Sequence, residues 1–166
     1  PVPIGGTGRP MPRTTIELGQ EDELRAFCNL IRNRTPAAGE LAWALARYEM
    51  GCGRITPAEA LTDYLLALRA LLEPEGPESG RLVGRLAAIC APPDERAAMA
   101  ERIASAVLLE RGVITGLESA GQDAASVKEL SDHLRAILRD VLCGHLDDDL
   151  CSLADGLLAE AAHATV

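Results

Sequence analysis

Aromatic residues and lysine are scarce in this sequence of 166 residues. Phe, Trp and Tyr together make up 2% of the chain, and Lys128 is the only lysine among 16 basic residues. A core with so few aromatic side chains has to be built from Leu, Ala, Ile and Val. Leu and Ala favour helix, whereas the β-branched and aromatic residues that favour strands are few. The composition therefore predicts an all-α fold.

Long apolar runs and paired cysteine motifs are also missing. No stretch approaches the roughly 20 apolar residues of a membrane helix, and the N-terminal segment has no signal-peptide core. The five cysteines are odd in number and include no C-x-x-C. Most lie in apolar helical context, which is typical of buried, reduced thiols. We therefore expect a cytoplasmic protein with no membrane partner, and the Arg-, Ala-, Gly- and Leu-rich composition indicates a GC-rich, bacterial source.

Acidic residues outnumber basic ones, and the formal net charge is −9. Affinity for nucleic-acid backbones rests mainly on clustered positive charge, so this balance argues against a broad electrostatic nucleic-acid surface. A small local site for a nucleotide or an RNA end remains compatible with it.

Proline and glycine divide the chain into a short arm and one helical domain. Residues 1–16 are Pro/Gly-rich and are predicted to be a flexible arm or linker, and residues 17–166 a single bundle domain. Apolar residues at spacings of 3 and 4 predict about seven helices in an antiparallel bundle. Their predicted ranges are 20–33, 39–50, 56–72, 79–90, 94–113, 126–143 and from 147 onward.

Several of these boundaries rest on capping signals. Thr56-Pro57-Ala58-Glu59 predicts a capping box with proline at the first helical position, and its wide apolar face predicts a central helix. Ser126 to Glu129 predicts a second capping box. Gly51-Cys52-Gly53 predicts a left-handed helix end. Acidic residues suit a first turn, so Asp94 with Glu95, and the Asp147–Asp149 run, are expected to open helices.

No motif predicts a metal or a cofactor. Cys143, His145 and Cys151 have the spacing C-x-H-x5-C, which matches no structural zinc pattern and supplies three of the four ligands needed. The Asp147–Asp149 run lacks the alternation and the glycine of a calcium loop. Gly5-Gly6-Thr7-Gly8 lies in the arm, without the strand-to-helix context of a phosphate loop.

The order of features from Leu45 to Leu142 resembles Apea-like domains of the HEPN superfamily. The segments that carry the resemblance are, in chain order, ALARYEMG, PAEALTDYLLALRALLEP, RLAAIC, PPDERAAMAERI, LLERGVITG and KELSDHLRAILRDVL. The resemblance implies a helical bundle. Active members are metal-independent ribonucleases that pair an arginine with a histidine four to six residues later, near the end of the long helix, across a homodimer.

This chain departs from that pattern at the catalytic positions. Aligned on the glycine after LLERGVIT, Thr115 replaces the histidine and Glu110 the arginine, while a shift of one residue retains Arg111. The acidic residue expected in the central helix is Arg69. Threonine cannot act as a general acid or base near neutral pH. The resemblance therefore implies a degenerate, non-catalytic module.

Three functions follow as hypotheses from these residues. The leading one is a HEPN-like module, in a toxin–antitoxin or defence context, that self-associates through the fifth or the closing helix. It would bind a partner protein, or a nucleotide or RNA, at Arg111, Thr115, Arg69 and Arg139. The alternative is an active ribonuclease that uses the one literal Arg-x5-His, Arg139 and His145. A third is a scaffold domain of a larger protein.

Overall fold

The computed structural model describes residues 15–115 and 124–164, and this part of the chain forms an all-α bundle without strands. It contains seven α-helices, as the sequence predicts. They are α1 (Glu21–Arg34), α2 (Glu40–Gly53), α3 (Pro57–Leu72), α4 (Leu82–Cys90), α5 (Arg96–Thr115), α6 (Ala124–Cys143) and α7 (Leu150–Ala164). Two short 3-10 turns, Leu18–Gln20 and Pro77–Ser79, precede α1 and α4.

Helix α3 is the centre of the bundle, as its wide apolar face predicts. Thr56 Oγ1 accepts a hydrogen bond from the backbone of Glu59 at 3.3 Å, and the Glu59 carboxylate accepts one from the Thr56 amide. Pro57 occupies the first helical position. The helix contacts α2, α4, α5, α6 and α7. Ten of its residues are buried, including Leu61, Tyr64 and Leu68.

Helices α2 and α3 make the most extensive contact between two helices, because Gly51 lets them approach closely. Gly51 is buried, and a side chain there would bring its Cβ to within 2.7 Å of Tyr64 Cδ1. The predicted left-handed end at residues 51–53 is wrong. Gly51 and Gly53 are both helical, and neither has a positive φ. Glycine at position 51 serves packing and not termination.

Four other predicted helix starts are displaced, and the first of them is that of α4, which begins at Leu82 and not at Ser79. Ala124 and Ala125 are already helical, so Ser126 lies inside α6 and does not cap it. Helix α5 begins at Arg96, so Asp94 and Glu95 form the preceding turn. Helix α7 begins three residues after Asp147, and the acidic run caps it: Asp149 Oδ1 accepts a hydrogen bond from the Ser152 amide at 3.0 Å.

Helix α1 lies at the edge of the bundle. It has no buried residue, and it packs mainly on α6. Residues 1–14 of the predicted arm lie outside the described residues, so the arm stays a prediction. Across the two described stretches, no helix combines the length and the apolar character needed to cross a membrane.

Candidate functional site

Arg69, which the sequence singles out as a binding residue, is bound inside the protein. It projects from α3 towards α5, where its guanidinium meets Glu110. Arg69 Nη2 donates to Glu110 Oε2 at 2.7 Å, and Nη1 donates to Oε1 at 3.3 Å. Glu110 is 4% exposed. A two-point ion pair of this kind fixes both side chains and joins the two helices.

A second carboxylate, that of Glu73, lies beside the same guanidinium. Its Oε2 is 4.0 Å from Arg69 Nε, which is buried and has no hydrogen-bond partner. Glu73 Oε1 accepts hydrogen bonds from Ser79 Oγ at 2.9 Å and from the Leu82 amide at 3.2 Å. Glu73 thereby ties the end of α3 to the start of α4. We call Arg69, Glu73 and Glu110 the internal charge cluster.

The other residues predicted around this site face solvent. Thr115 and Arg111 are exposed near the end of α5. Thr115 Oγ1 donates to the backbone oxygens of Arg111 at 2.9 Å and Gly112 at 3.1 Å, so its hydroxyl bonds to its own helix. Arg111 forms no ion pair with any residue of the described ranges. No hydrogen bond or ion pair brings Arg69 and Arg111 together.

Arg139 and His145 meet at one carboxylate oxygen. Arg139 Nε donates to Asp140 Oδ1 at 2.8 Å, and His145 Nδ1 lies 3.8 Å from the same oxygen. The turn at Gly144, which has a φ of 77°, folds His145 back towards α6. The hydrogen bond from Arg139 lowers the pKa of Asp140. The guanidinium therefore already has a carboxylate partner, and both basic side chains are exposed.

Sequence reasoning missed Arg85, the most enclosed arginine in the described residues, with 2% of its surface exposed. It donates to Asp155 Oδ1 and Oδ2, both at 2.9 Å, and to Glu75 Oε1 at 2.8 Å. It also donates to the Leu72 backbone oxygen at 2.7 Å. These bonds lower the pKa of Asp155 and of Glu75 and raise that of Arg85 further. The cluster is a structural clamp between α3, α4 and α7.

His133 belongs to another cluster that the sequence did not predict. Glu129 Oε1 lies 2.9 Å from Arg102 Nε on α5 and 3.7 Å from His133 Nε2 on α6. Ser126 lines the same shallow pocket, whose floor is apolar. The i,i+4 spacing of Glu129 and His133 is visible in the sequence. The contact between Glu129 and Arg102 is not, because it depends on how α5 packs against α6.

The five cysteines are free thiols, but the prediction that they are buried is wrong: Cys28 is exposed and the other four are partly exposed. Cys151 Sγ donates to the Leu71 backbone oxygen at 3.5 Å and lies 3.4 Å from Arg85 Nη1. Burial raises the pKa of the Cys90 thiol to about 12. Within residues 15–115 and 124–164, no three His, Cys, Asp or Glu side chains are grouped to hold a metal ion.

Comparison of the chain with protein-family models, with curated proteins and with solved structures gives no match in any of the three.

Proposed function

We propose that this chain is a non-catalytic, HEPN-like helical module that acts by self-association and by binding a partner protein or an RNA or nucleotide end. The observation that carries the proposal is the Arg69–Glu110 ion pair. Under the resemblance, position 69 should be acidic and position 110 should be arginine. Both signs are reversed in this chain, and the two side chains contact each other.

In this chain the pair holds α3 against α5, and it leaves a carboxylate where the resemblance implies an arginine. Glu110 is buried, so its carboxylate cannot contact a phosphate without unfolding part of α5. Thr115 has a hydroxyl that already donates to its own helix. Threonine cannot act as a general acid or base near neutral pH, and a carboxylate at position 110 cannot stabilise the negative charge of a phosphorane. The arrangement supports a binding role, with Arg111 as the exposed cation at the end of α5.

The test is incubation of the purified protein with single-stranded RNA and tRNA in the absence of metal. We expect no cleavage, because a general acid or base contributes roughly 10² to 10⁴ in rate and none is present at position 115. We also expect weak nucleotide or RNA binding that Arg111→Ala reduces. Arg25→Ala, which removes an exposed arginine on α1, is the matched control. Binding that is unchanged by Arg111→Ala would contradict the assigned binding residue.

A second candidate function rests on the meeting of Arg139 and His145 at Asp140. An imidazole beside an arginine is the pair that metal-independent RNA cleavage requires. In the same assay, cleavage by the wild type that His145→Ala and Arg139→Ala both abolish would favour this ribonuclease over the binding module. Cleavage that survives both changes would indicate a contaminating nuclease, and the binding module would stand.

Self-association is supported by the outer surface of α5. Leu108 and Ile114 are exposed by 63% and 68%, and Arg111 follows Leu108 by one helical turn. An exposed apolar patch is typical of a protein interface, and Leu108 and Ile114 are the large apolar side chains that α5 offers to one. We propose a homodimer through this surface. We also propose a toxin–antitoxin or defence role in a bacterial cytoplasm. The alternative is a scaffold domain of a larger protein. The genes adjacent to this one would distinguish the two.

A further inference from the structure

A groove with an apolar floor and an acidic rim runs along one end of the bundle. It is formed where the α1–α2 and α6–α7 connections meet the end of α3. Two overlapping cavities of about 360 and 430 Å³ share Arg34, Leu41, Val141 and Asp148. A third, of about 350 Å³, continues the groove towards Pro74. We call this surface the acidic groove.

The groove has a strongly negative rim. Its carboxylates belong to Glu40, Asp147, Asp148 and Asp149, all exposed. None of them forms a salt bridge with a residue of the described ranges. Helices α3 and α6 both end here, and helix C-termini carry partial negative charge. Arg34 is the one lining cation of these three cavities, and its Nη1 donates to the Leu142 backbone oxygen at 3.4 Å. The site therefore suits a ligand that is both cationic and apolar.

We propose that the acidic groove binds residues 1–14 of this same chain. In a protein of net charge −9, this segment contains Arg9 and Arg13 and no acidic residue. Its apolar residues Val2, Ile4 and Met11 can pack on Leu41 and Val141, the partly exposed apolar residues of the groove. Its four prolines favour extended backbone, which loses little entropy on binding in a groove.

The length of the segment fits the distance it has to cover. Helix α1 has 14 residues, and at about 1.5 Å per residue it carries the chain roughly 21 Å from Glu21 to the groove at Arg34. An extended segment covers about 3.1 Å per residue, so the residues between Thr15 and Arg9 span roughly 19 Å. Counted from Thr15, the backbone at Arg9 would come within about 2 Å of that distance, and the residues before it, out to Ile4 at roughly 34 Å, would be long enough to lie along the groove. Covalent attachment also raises their effective concentration to the millimolar range.

The test places a photo-crosslinking amino acid at Ile4 of the full chain. We expect intramolecular crosslinks to peptides that contain residues 36–41 or 146–151, identified by mass spectrometry at concentrations low enough to separate them from intermolecular products. Crosslinks to these peptides only between two copies would show that a second copy fills the groove. Crosslinks elsewhere, or none, would show that the segment does not occupy it. Either result overturns the proposal.

Charge reversal then tests the electrostatic basis of the contact. Glu40→Lys with Asp148→Lys, or Arg9→Glu alone, should lower the crosslink yield several-fold, and the combination of all three should restore it. Glu160→Lys, which reverses an exposed carboxylate on α7 outside the groove, should leave the yield unchanged. Circular dichroism of each variant separates loss of contact from loss of fold. Equal loss of yield with Glu160→Lys, or no restoration in the combined variant, would contradict a specific contact.

Discussion

At the scale of single residues, the buried charges determine which substitutions the fold tolerates. Asp63, 2% exposed, accepts from Arg54 at 2.6 Å and from Arg47 at 3.2 Å. Arg85 has two carboxylate partners of its own. Removal of one partner leaves the other charged and desolvated. The free energy of unfolding then falls by more than the intact pair adds to it. Loss of function after a change at these positions therefore has to be separated from loss of fold.

The Arg69–Glu110 pair gives a direct test at this scale. Glu110→Arg or Arg69→Glu alone should lower the free energy of unfolding by about 2–4 kcal/mol, because each places like charges against one another in the interior. The double variant Arg69→Glu/Glu110→Arg should recover part of that loss, because the exchanged pair attracts again while the carboxylate introduced at position 69 also faces Glu73. Urea unfolding of the four proteins measures the coupling. A double variant that is no more stable than either single variant would show that the two side chains do not stabilise each other.

The sequence predicted Arg69 as a site residue but not its partner. Arg69 was singled out by the resemblance, which implies an acidic residue at that position of the central helix. That Glu110 is buried cannot be predicted in the same way, because apolar residues surround α5 on most of its faces. Arg85 was missed for a similar reason: its partner Asp155 lies 70 residues away in the chain.

At the scale of helices, the contact between α2 and α3 depends on Gly51. Gly51→Ala should destabilise the protein by about 1–3 kcal/mol, because the new methyl group overlaps the Tyr64 ring, which is 1% exposed. Gly53→Ala is the matched control on the same helix, since a Cβ there meets nothing within 4 Å. Thermal unfolding of both variants measures the difference. Equal effects of the two changes would contradict the close approach.

The clamp between α4 and α7 should make stability depend on pH in acid. Arg85 lowers the pKa of Asp155, so the unfolded chain binds more protons than the folded protein between the two pKa values. This contribution is present above the ordinary aspartate pKa of about 3.9 and is lost as the pH falls through the lowered value.

Asp155→Asn should therefore flatten the pH dependence of the unfolding free energy below about pH 4. Because Asp155 is nearly half exposed, solvent screens the interaction and the change should be small. Urea unfolding at a series of pH values is the measurement. Asp94→Asn, at an exposed aspartate that forms no ion pair in the described residues, should leave the slope unchanged. A steeper slope for Asp155→Asn would contradict this account.

The helices themselves were largely predictable, and their ends were less so. The spacing of Leu and Ala identified all seven, and the Thr56–Glu59 capping box fixed the start of α3 because its signal is local. Ser126 to Glu129 has an equally good local signal, yet α6 begins at least two residues earlier. The helix includes Ala124 and Ala125 and does not begin at Ser126, because alanine favours helix more strongly than any other residue. Gly51 was misread because a packing contact leaves no local signal.

At the scale of the whole molecule, the exposed apolar residues of α5 predict a dimer. Leu108→Arg should convert the dimer to a monomer at micromolar concentration, because it places a charge in the proposed interface. Ile55→Arg is the control: Ile55 is 67% exposed but lies in the α2–α3 connection. Light scattering reports the mass of each. A wild-type monomer across this concentration range, or dissociation by Ile55→Arg as well, would contradict the proposed interface.

The lack of a buried residue in α1 has a consequence for the acidic groove. Backbone hydrogen bonds in a helix held by so few contacts open at low free energy, so α1 should exchange its amide hydrogens before the other helices do. Each such opening withdraws Arg34 from the Leu142 oxygen and leaves the groove without its one lining cation. A cationic ligand then binds more tightly to the opened form than to the closed one. By thermodynamic reciprocity, the binding of the positively charged residues 1–14 in the groove should also favour the release of α1.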